Sequence, residues 1–354
     1  MFFHLANEKL RYIKRGLKKL ERDLLLFFKR TFAEKVYHPI DIKQQAGFTE
    51  KKKLRILLAY NRVEHHMAEF INIAFRKRFT DIEIFSCGPN NEFHIPDNRD
   101  SHIKIAQLAN RLGVDVFIEL ESGHVSLDYQ FNRIYPPINA VKLWWVNDSH
   151  QFLEYMVPKA KYFDHVFVSM KDDAGAFGPK SSWLPGSACI DVAVDYNLPR
   201  DYDISFVGSM DQCHRDRKQF IESLQRDFNK TKFIDGLFLE DMARIYSSSK
   251  IVFNKSLKGD VNYRVFEALA CGALLITDNI KNGLTDLYQP EKDIILYDSY
   301  AELKEKISYY LNNEKERLQI AKSGQKKTLL MHTVDHRVMD IIRYITTYKQ
   351  DAHG

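Results

Sequence analysis

Four cysteines in 354 residues, at Cys87, Cys189, Cys213 and Cys271, are too few and too scattered to organise a fold. They form no C-x-x-C, so neither a thiolate zinc site nor a disulfide framework is indicated. The thiols are read as reduced, with Cys271 a small buried helix residue. Long apolar runs are missing as well. None approaches the ~18 residues that span a bilayer, and the opening MFFHLANEKLRYIKR lacks the basic-then-apolar order of a secretory leader. A cytoplasmic protein is expected. Its charge is not spread over the chain either. Of a net +5, residues 1–35 hold ten Lys and Arg against four Asp and Glu, which leaves −1 for the remainder. A neutral body argues against nucleic acid as a partner. No G-x-G-x-x-G follows the first expected strand, which counts against a dinucleotide there. The second half shows no cluster of Asp, Glu, His or Cys at ligand spacing, so no metal and no cofactor is expected.

What is present is a soluble globular composition, 45% hydrophobic and 28% charged, in a chain long enough for two domains with separate cores. Leu10, Ile13, Leu17, Leu20, Leu24 and Phe27 recur at spacings of 3 and 4 with Lys and Arg opposite, the mark of one amphipathic basic helix weakened at Gly16. Such a stripe packs on its own domain or on a second copy. With Phe2, Phe3 and Leu24 to Phe28 it also suits an anionic membrane surface, which would make the protein peripheral at the inner face. Residues 36–53 read as a linker.

From Leu54 to about 190, LRILLAY, IEIFS, VDVFIEL, VKLWWVN and HVFVS alternate with helical stretches near 64–78, 101–111 and 126–134. Short apolar strands between helices predict a parallel, Rossmann-like α/β domain. Turn formers from Pro185 to Asp203 mark the crossing to a second domain over 200–332, with strands in YDISFVG, KFIDG and Lys292 to Tyr297 and helices near 215–228 and 238–247. A helix over 333–354 closes the chain and is expected to return to the first domain. Ligands of parallel sheets gather beyond the carboxyl ends of the strands. That rule singles out Asn61 to His66, Glu121 to His124 and Asp148 to His150. His124, after Ser122-Gly123, is placed where glycine lets an imidazole approach a ligand; a structural histidine is the other reading. Asp148 is an N-cap or a cleft residue.

The most informative stretch is KIVFNKSLKGDVNYRVFEALACGALLITDNIKNGLTD, from Lys250 to Asp286. It reads as strand, loop, helix, strand and loop, with Asp260 as cap, Val265, Phe266, Leu269 and Ala270 as apolar stripe, and the helix ending at Cys271-Gly272. Asn262, Tyr263, Arg264 and Glu267 are left outside that stripe. Arg264 faces the positive end of the helix dipole, a mild conflict that a docked anion would relieve. An i,i+3 pair with Glu267 is the alternative.

The run NYRVFEALACGALLITDNIKNGLTDLY resembles the donor-site segment of GT-B glycosyltransferases, within them the CgeB-like (spore maturation protein) branch with its N-x-R-V-F-E-A-L-A-x-G-x-L-L-x-T-D. Weaker similarity runs through WWVNDSH, FDHVFVSMKD, WLPG and YDISFVGS to HTVDHR, over roughly residues 140–340. The resemblance implies two Rossmann-like domains facing a cleft and transfer of a sugar from a nucleotide-diphosphate sugar to a hydroxyl of a glycan, lipid or protein. It implies that Glu267 holds the ribose hydroxyls, that Gly208 approaches the diphosphate, that Arg217, or Arg215 beside it, supplies charge together with Lys255 and Arg264, and that Asn262 belongs to the donor-binding residues. The related families carry a second Glu eight residues before Glu267; here that place is Gly259. They often place Arg after the glycine; here it is Ser209. Asp172-Asp173 lacks the D-x-D spacing of metal-dependent sugar transferases, so transfer without metal is expected. His65, His124, Asp148 and His150 would line the acceptor side, and an inverting reaction would need a general base, for which His124 is the first candidate. A nucleotide-sugar epimerase or hydrolase on the same fold, and a non-catalytic scaffold, are the alternatives.

Overall fold

The computed structural model describes residues 53–120, 134–210 and 215–353, with side chains for all of these except 150, 151 and 349–353. The expected amphipathic helix and linker, and the expected helix near 126–134, lie outside the described residues apart from their last positions.

The first half is a seven-stranded parallel sheet in the order β3-β2-β1-β4-β5-β6-β7. Its strands are β1 (Leu54–Ala59), β2 (Ile82–Gly88), β3 (Phe93–His94), β4 (Val116–Leu120), β5 (Val141–Val146), β6 (His165–Val168) and β7 (Ser181–Trp183). Helices α1 (Met67–Arg78), α2 (Ser101–Leu112) and α3 (Ser149–Ala160) lie between them. Central strands are covered on both faces, so they read as apolar runs rather than as alternation. All five residues of β4 are buried, and Ile118 sits opposite Leu58 on one side and Leu143 on the other. A buried ion pair is taken into this core: Lys159 of α3 meets Glu119 of β4 at 2.5 Å and lies 4.6 Å from the Trp144 ring, while Tyr135 donates to the same carboxylate at 2.8 Å. The pairing offsets a desolvation penalty that either ion alone would not survive.

The second half is a five-stranded parallel sheet ordered β12-β11-β10-β8-β9. It comprises β8 (Tyr202–Val207), β9 (Thr231–Ile234), β10 (Ser249–Asn254), β11 (Leu274–Asp278) and β12 (Ile295–Tyr297). Around it run α4 (Arg215–Asp227), α5 (Leu239–Ser247), α6 (Tyr263–Ala270), the single turn α7 (Leu284–Leu287), α8 (Tyr300–Asn312), α9 (Glu314–Met331) and α10 (Val334–His353). From β8 the chain winds outward to β9, and from β10 it winds the opposite way to β11. The crevice between the ends of β8 and β10 is therefore a topological switch point. In the first sheet the same reversal falls between β1 and β4.

Two segments join the halves. Ala188 and Thr333 form an isolated parallel bridge, in which Ala188 N–H donates to His332 and Val334 N–H donates to Ala188, both at 2.9 Å. Beyond it α10 packs on α1, Arg78 pairs with Asp335, and the His165 and Tyr344 rings stack at 4.1 Å. His332 is buried, bonds the Leu287 carbonyl at 3.2 Å, and has its pKa lowered to about 4 by burial and then by Arg337.

Several expectations need correction. Asp260 does not cap α6. The N-cap is Asn262, and Asp260 instead accepts from the N–H groups of Leu257 and Lys258 at 2.7 and 3.3 Å, closing the loop before the helix. The strand expected over 292–297 is only Ile295–Tyr297, because Asp293 is occupied in a turn with Gln289 N–H at 2.9 Å. Helix α9 was not expected at all. Its exposed Leu318, Leu329, Leu330 and Met331 interrupt the apolar period.

Gly324, inside α9, faces the Asp293 carbonyl and the Leu269 side chain so closely that a Cβ would collide with both. Gly324→Ala gains up to about 1 kcal/mol of helix propensity, yet overpacking a tight core costs about 1–3 kcal/mol. The variant is expected to be destabilised by about 1–2 kcal/mol in urea unfolding. A neutral or stabilising result would show that the turn at Asp293 yields.

Candidate functional site

The site is built at the switch point of the second sheet, where polar residues close apolar strands. Asn254 ends β10, is fully buried, and donates from Nδ2 to Thr277 Oγ1 on β11 at 2.9 Å, while Tyr297 of β12 donates to its carbonyl at 2.8 Å. Its Oδ1 accepts from Arg264 Nη1 at 2.7 Å. Arg264 comes from the first turn of α6 and does not stay over the helix end. It crosses to β8, donates from Nε to the Val207 carbonyl at 2.9 Å, and lays its guanidinium 4.0 Å from the Phe206 ring centroid.

Gly208 lies directly beneath that guanidinium. Its φ of 147° lies in the region that favours glycine, and any Cβ would strike the Arg264 guanidinium. The glycine is thus required twice, by backbone conformation and by the cation resting on it.

Around this pair the loops are stiffened by further cations. Arg217 is buried and donates to the carbonyls of Lys255 at 3.0 Å and Ser209 at 3.1 Å, tying the loop after β8 to the loop after β10. Lys255 pairs with Asp278 at 3.2 Å, and Asp278 also accepts from Ser256 N–H at 2.8 Å. Arg215 is exposed at the start of α4. Of the expected cations, Arg217, Lys255 and Arg264 are held at the strand ends and Arg215 is not among them.

Glu267 lies on the side of α6 left open by Val265, Phe266, Leu269 and Ala270, all buried. It makes no ion pair with Arg264, whose guanidinium is engaged at Val207 and Asn254. The i,i+3 alternative therefore does not describe this helix. The residue keeps some contact with solvent, but protein surrounds its carboxyl closely. Burial pushes the pKa up from 4.5 to about 7, against the pull of Arg264. At the other end of α6, Asn262 occupies the N-cap position without capping, and both its Oδ1 and Nδ2 are buried with no hydrogen-bond partner.

The two halves meet across this site. Tyr263 donates to Asn147 Oδ1 at the end of β5 at 2.9 Å, Asp172 N–H donates to Asn282 at 3.0 Å, and Lys171 pairs with Asp286 at 2.9 Å. His65, after β1, stacks on Phe238 before α5 at 3.8 Å, and Leu239 next to it holds a φ of 54°. Asp148 is half-buried at the N-cap position of α3, without a capping bond, one residue from the Tyr263 contact. His124 and the His150 side chain lie outside the described residues. Sequence reasoning missed Asn147, Asn254 and Phe238. The first two carried a signal, a lone Asn closing the runs WWVN and IVFN.

Two parallel α/β sheets of Rossmann type, with polar residues gathered at their strand ends, define the GT-B class of fold. Residues 197–343 match the model of a family described as Glycosyl transferase-like. No curated protein matches the chain. Among solved structures, HepE from Anabaena in complex with UDP-glucose is similar at a TM-score of 0.62 and 14% identity, over 83% of this chain and 100% of that one. Sucrose-phosphate synthase from Thermosynechococcus elongatus is similar at 0.58 and 11%, over 84% and 100%. A putative UDP-N-acetylglucosamine 2-epimerase from Listeria monocytogenes is similar at 0.55 and 10%, over 85% and 98%. The architecture is GT-B, and the residues that match the glycosyltransferase-like family lie in its second half.

The raised pKa of Glu267 makes a prediction for the unliganded protein. A carboxyl that holds its proton more tightly when folded contributes stability that is complete below about 4.5 and lost as pH rises through about 7. In Glu267→Gln that loss is absent. Thermal unfolding from pH 4.5 to 8 is expected to show the variant gaining on the native protein as pH rises, by on the order of 2 kcal/mol at pH 8 once partial solvent contact is allowed for. Parallel curves for the two proteins would place the carboxylate in water.

Proposed function

We propose that this protein is a GT-B glycosyltransferase, akin to the CgeB-like branch, that moves a sugar from a nucleoside-diphosphate sugar to an acceptor hydroxyl without a metal. The observation that carries this reading is Arg264 laid over Gly208 at the switch point, with the unpaired carboxylate of Glu267 on the same helix.

In the reaction the acceptor oxygen bonds to the anomeric carbon as the bond from that carbon to the diphosphate breaks. The nucleoside diphosphate leaves with the electron pair, and the acceptor proton passes to a base. Charge therefore grows on the leaving diphosphate. Arg264, with Arg217 and Lys255 behind it, is the fixed positive field that would stabilise it; groups held in place beforehand need no reorganisation when charge develops. Gly208 lets the diphosphate approach the backbone. Glu267 accepts from both ribose hydroxyls, which suits a carboxylate with two oxygens and no internal partner. On the acceptor side we assign His65, Asp148, His150 and, as the base, His124. The acceptor is a hydroxyl of a glycan, a lipid or a protein. Residues 1–35 serve attachment to an anionic membrane or to a second copy, and no helix among the described residues is long and apolar enough to cross a membrane. The likeness to an epimerase supports a second reading, conversion of the nucleotide sugar without an acceptor; product analysis with and without acceptor separates the two.

Two measurements test the donor site. Charge-assisted hydrogen bonds contribute about 1.5–3 kcal/mol, so Glu267→Gln is expected to bind nucleoside diphosphate about ten- to a hundredfold more weakly. The native protein should prefer ribo- over 2'-deoxyribonucleotide, and the variant should lose that preference. Equal discrimination by both would remove Glu267 from the ribose. Binding and turnover are also expected to persist in EDTA; activity abolished by the chelator and restored by magnesium or manganese would overturn the metal-free mechanism.

A further inference from the structure

We propose that Asn262 reads the hydroxyl groups of the sugar carried by the donor, an assignment that rests on the donor-site reading above and adds a specificity residue to it. Buried amides are almost always hydrogen-bonded, and one that is not calls for an explanation. Asn262 Oδ1 and Nδ2 are both buried and both without a partner. The residue stands at the N-cap of α6, where its side chain would ordinarily bond the first-turn N–H groups, and it does not.

Position along α6 narrows the ligand. Glu267 is five residues further on, about 7.5 Å along the axis at ~1.5 Å per residue. Arg264 stands between the two in sequence, with its guanidinium resting on Gly208. A nucleotide sugar with its ribose at Glu267 and its diphosphate over Gly208 brings its sugar to the Asn262 end. The neighbouring groups are already engaged. Gly259 has no side chain, the Asp260 carboxylate is held by Leu257 and Lys258, and Lys255 by Asp278.

Chemistry narrows it further. An amide offers an acceptor and donors at once. Phosphate oxygens only accept at neutral pH, so a diphosphate would satisfy Nδ2 and leave Oδ1 unmet. A pair of sugar hydroxyls, each able to donate and accept, satisfies both. In the arrangement described neither amide atom touches solvent, so a sugar reaches it only when the groups around it move aside. The contact between the halves nearest in sequence is the bond from Tyr263 to Asn147.

The test is calorimetric titration of the full chain and its Asn262→Ala and Asn262→Ser variants with UDP, GDP, ADP and dTDP and with their glucose conjugates. Serine keeps a residue favoured at N-caps and so controls for loss of the helix start. For whichever nucleotide the native protein binds, both variants are expected to hold the diphosphate within twofold of the native affinity and to bind its glucose conjugate about tenfold or more weakly. Equal loss for diphosphate and conjugate would overturn the assignment, placing the amide on the diphosphate or in the helix start. Unchanged affinity for both would overturn it as well, with a buried water as the partner of the amide. A native protein that binds none of the diphosphates would overturn the donor reading itself.

Discussion

The interaction on which the second half depends is the grip of Arg264 on the strand ends. One guanidinium holds the Val207 carbonyl and Asn254, and Asn254 in turn holds Thr277 and receives Tyr297, so β8, β10, β11 and β12 are tied at one point. The planar fork of arginine suits this, since it directs separate N–H groups to separate acceptors without loss of charge. Lysine would offer a point charge on a flexible stem. The same grip fixes the roll of α6, and with it the side to which Glu267 points.

That arrangement leaves an electrostatic asymmetry. Arg264 bonds a neutral carbonyl and a neutral amide, so these contacts do not cancel its charge, whereas Lys255 is paired with the Asp278 carboxylate. Glu267 is the converse, a carboxyl in protein surroundings without an ion pair. Each is mildly unfavourable for folding and poised for a ligand with one anionic and one hydroxyl-bearing part. Residues that satisfied one another would have been better for stability and useless for binding.

How far the sequence disclosed this depended on the range of each interaction. The stripe Val265, Phe266, Leu269 and Ala270 was legible because a helix repeats every 3.6 residues, and all four are buried. The β strands of both halves were legible as apolar runs, except β3 with two residues and β7 with SSW, which carry no apolar run. Helix α9 was hidden by its own exposed leucines. Asp260 looked like a cap because local spacing cannot tell a carboxylate that serves the next helix from one that serves the preceding loop. The contact from Tyr263 to Asn147 joins residues 116 apart, and no pattern within either segment announces it. Glu267 and Gly208 came from resemblance to a family, and the geometry supplied what resemblance did not, namely why Gly208 cannot carry a side chain.

The bridge between Ala188 and Thr333 sets how the halves can move. Two crossing segments lie side by side and exchange backbone hydrogen bonds, so the connection resists twist and shear more than a single strand would. A single tether would let one half wander over the other. A paired one acts as a door hinge, in which the leaf swings along one arc and returns to the same jamb. Were the halves to open, Asn147 and Tyr263, or His65 and Phe238, would meet again in register without searching for each other.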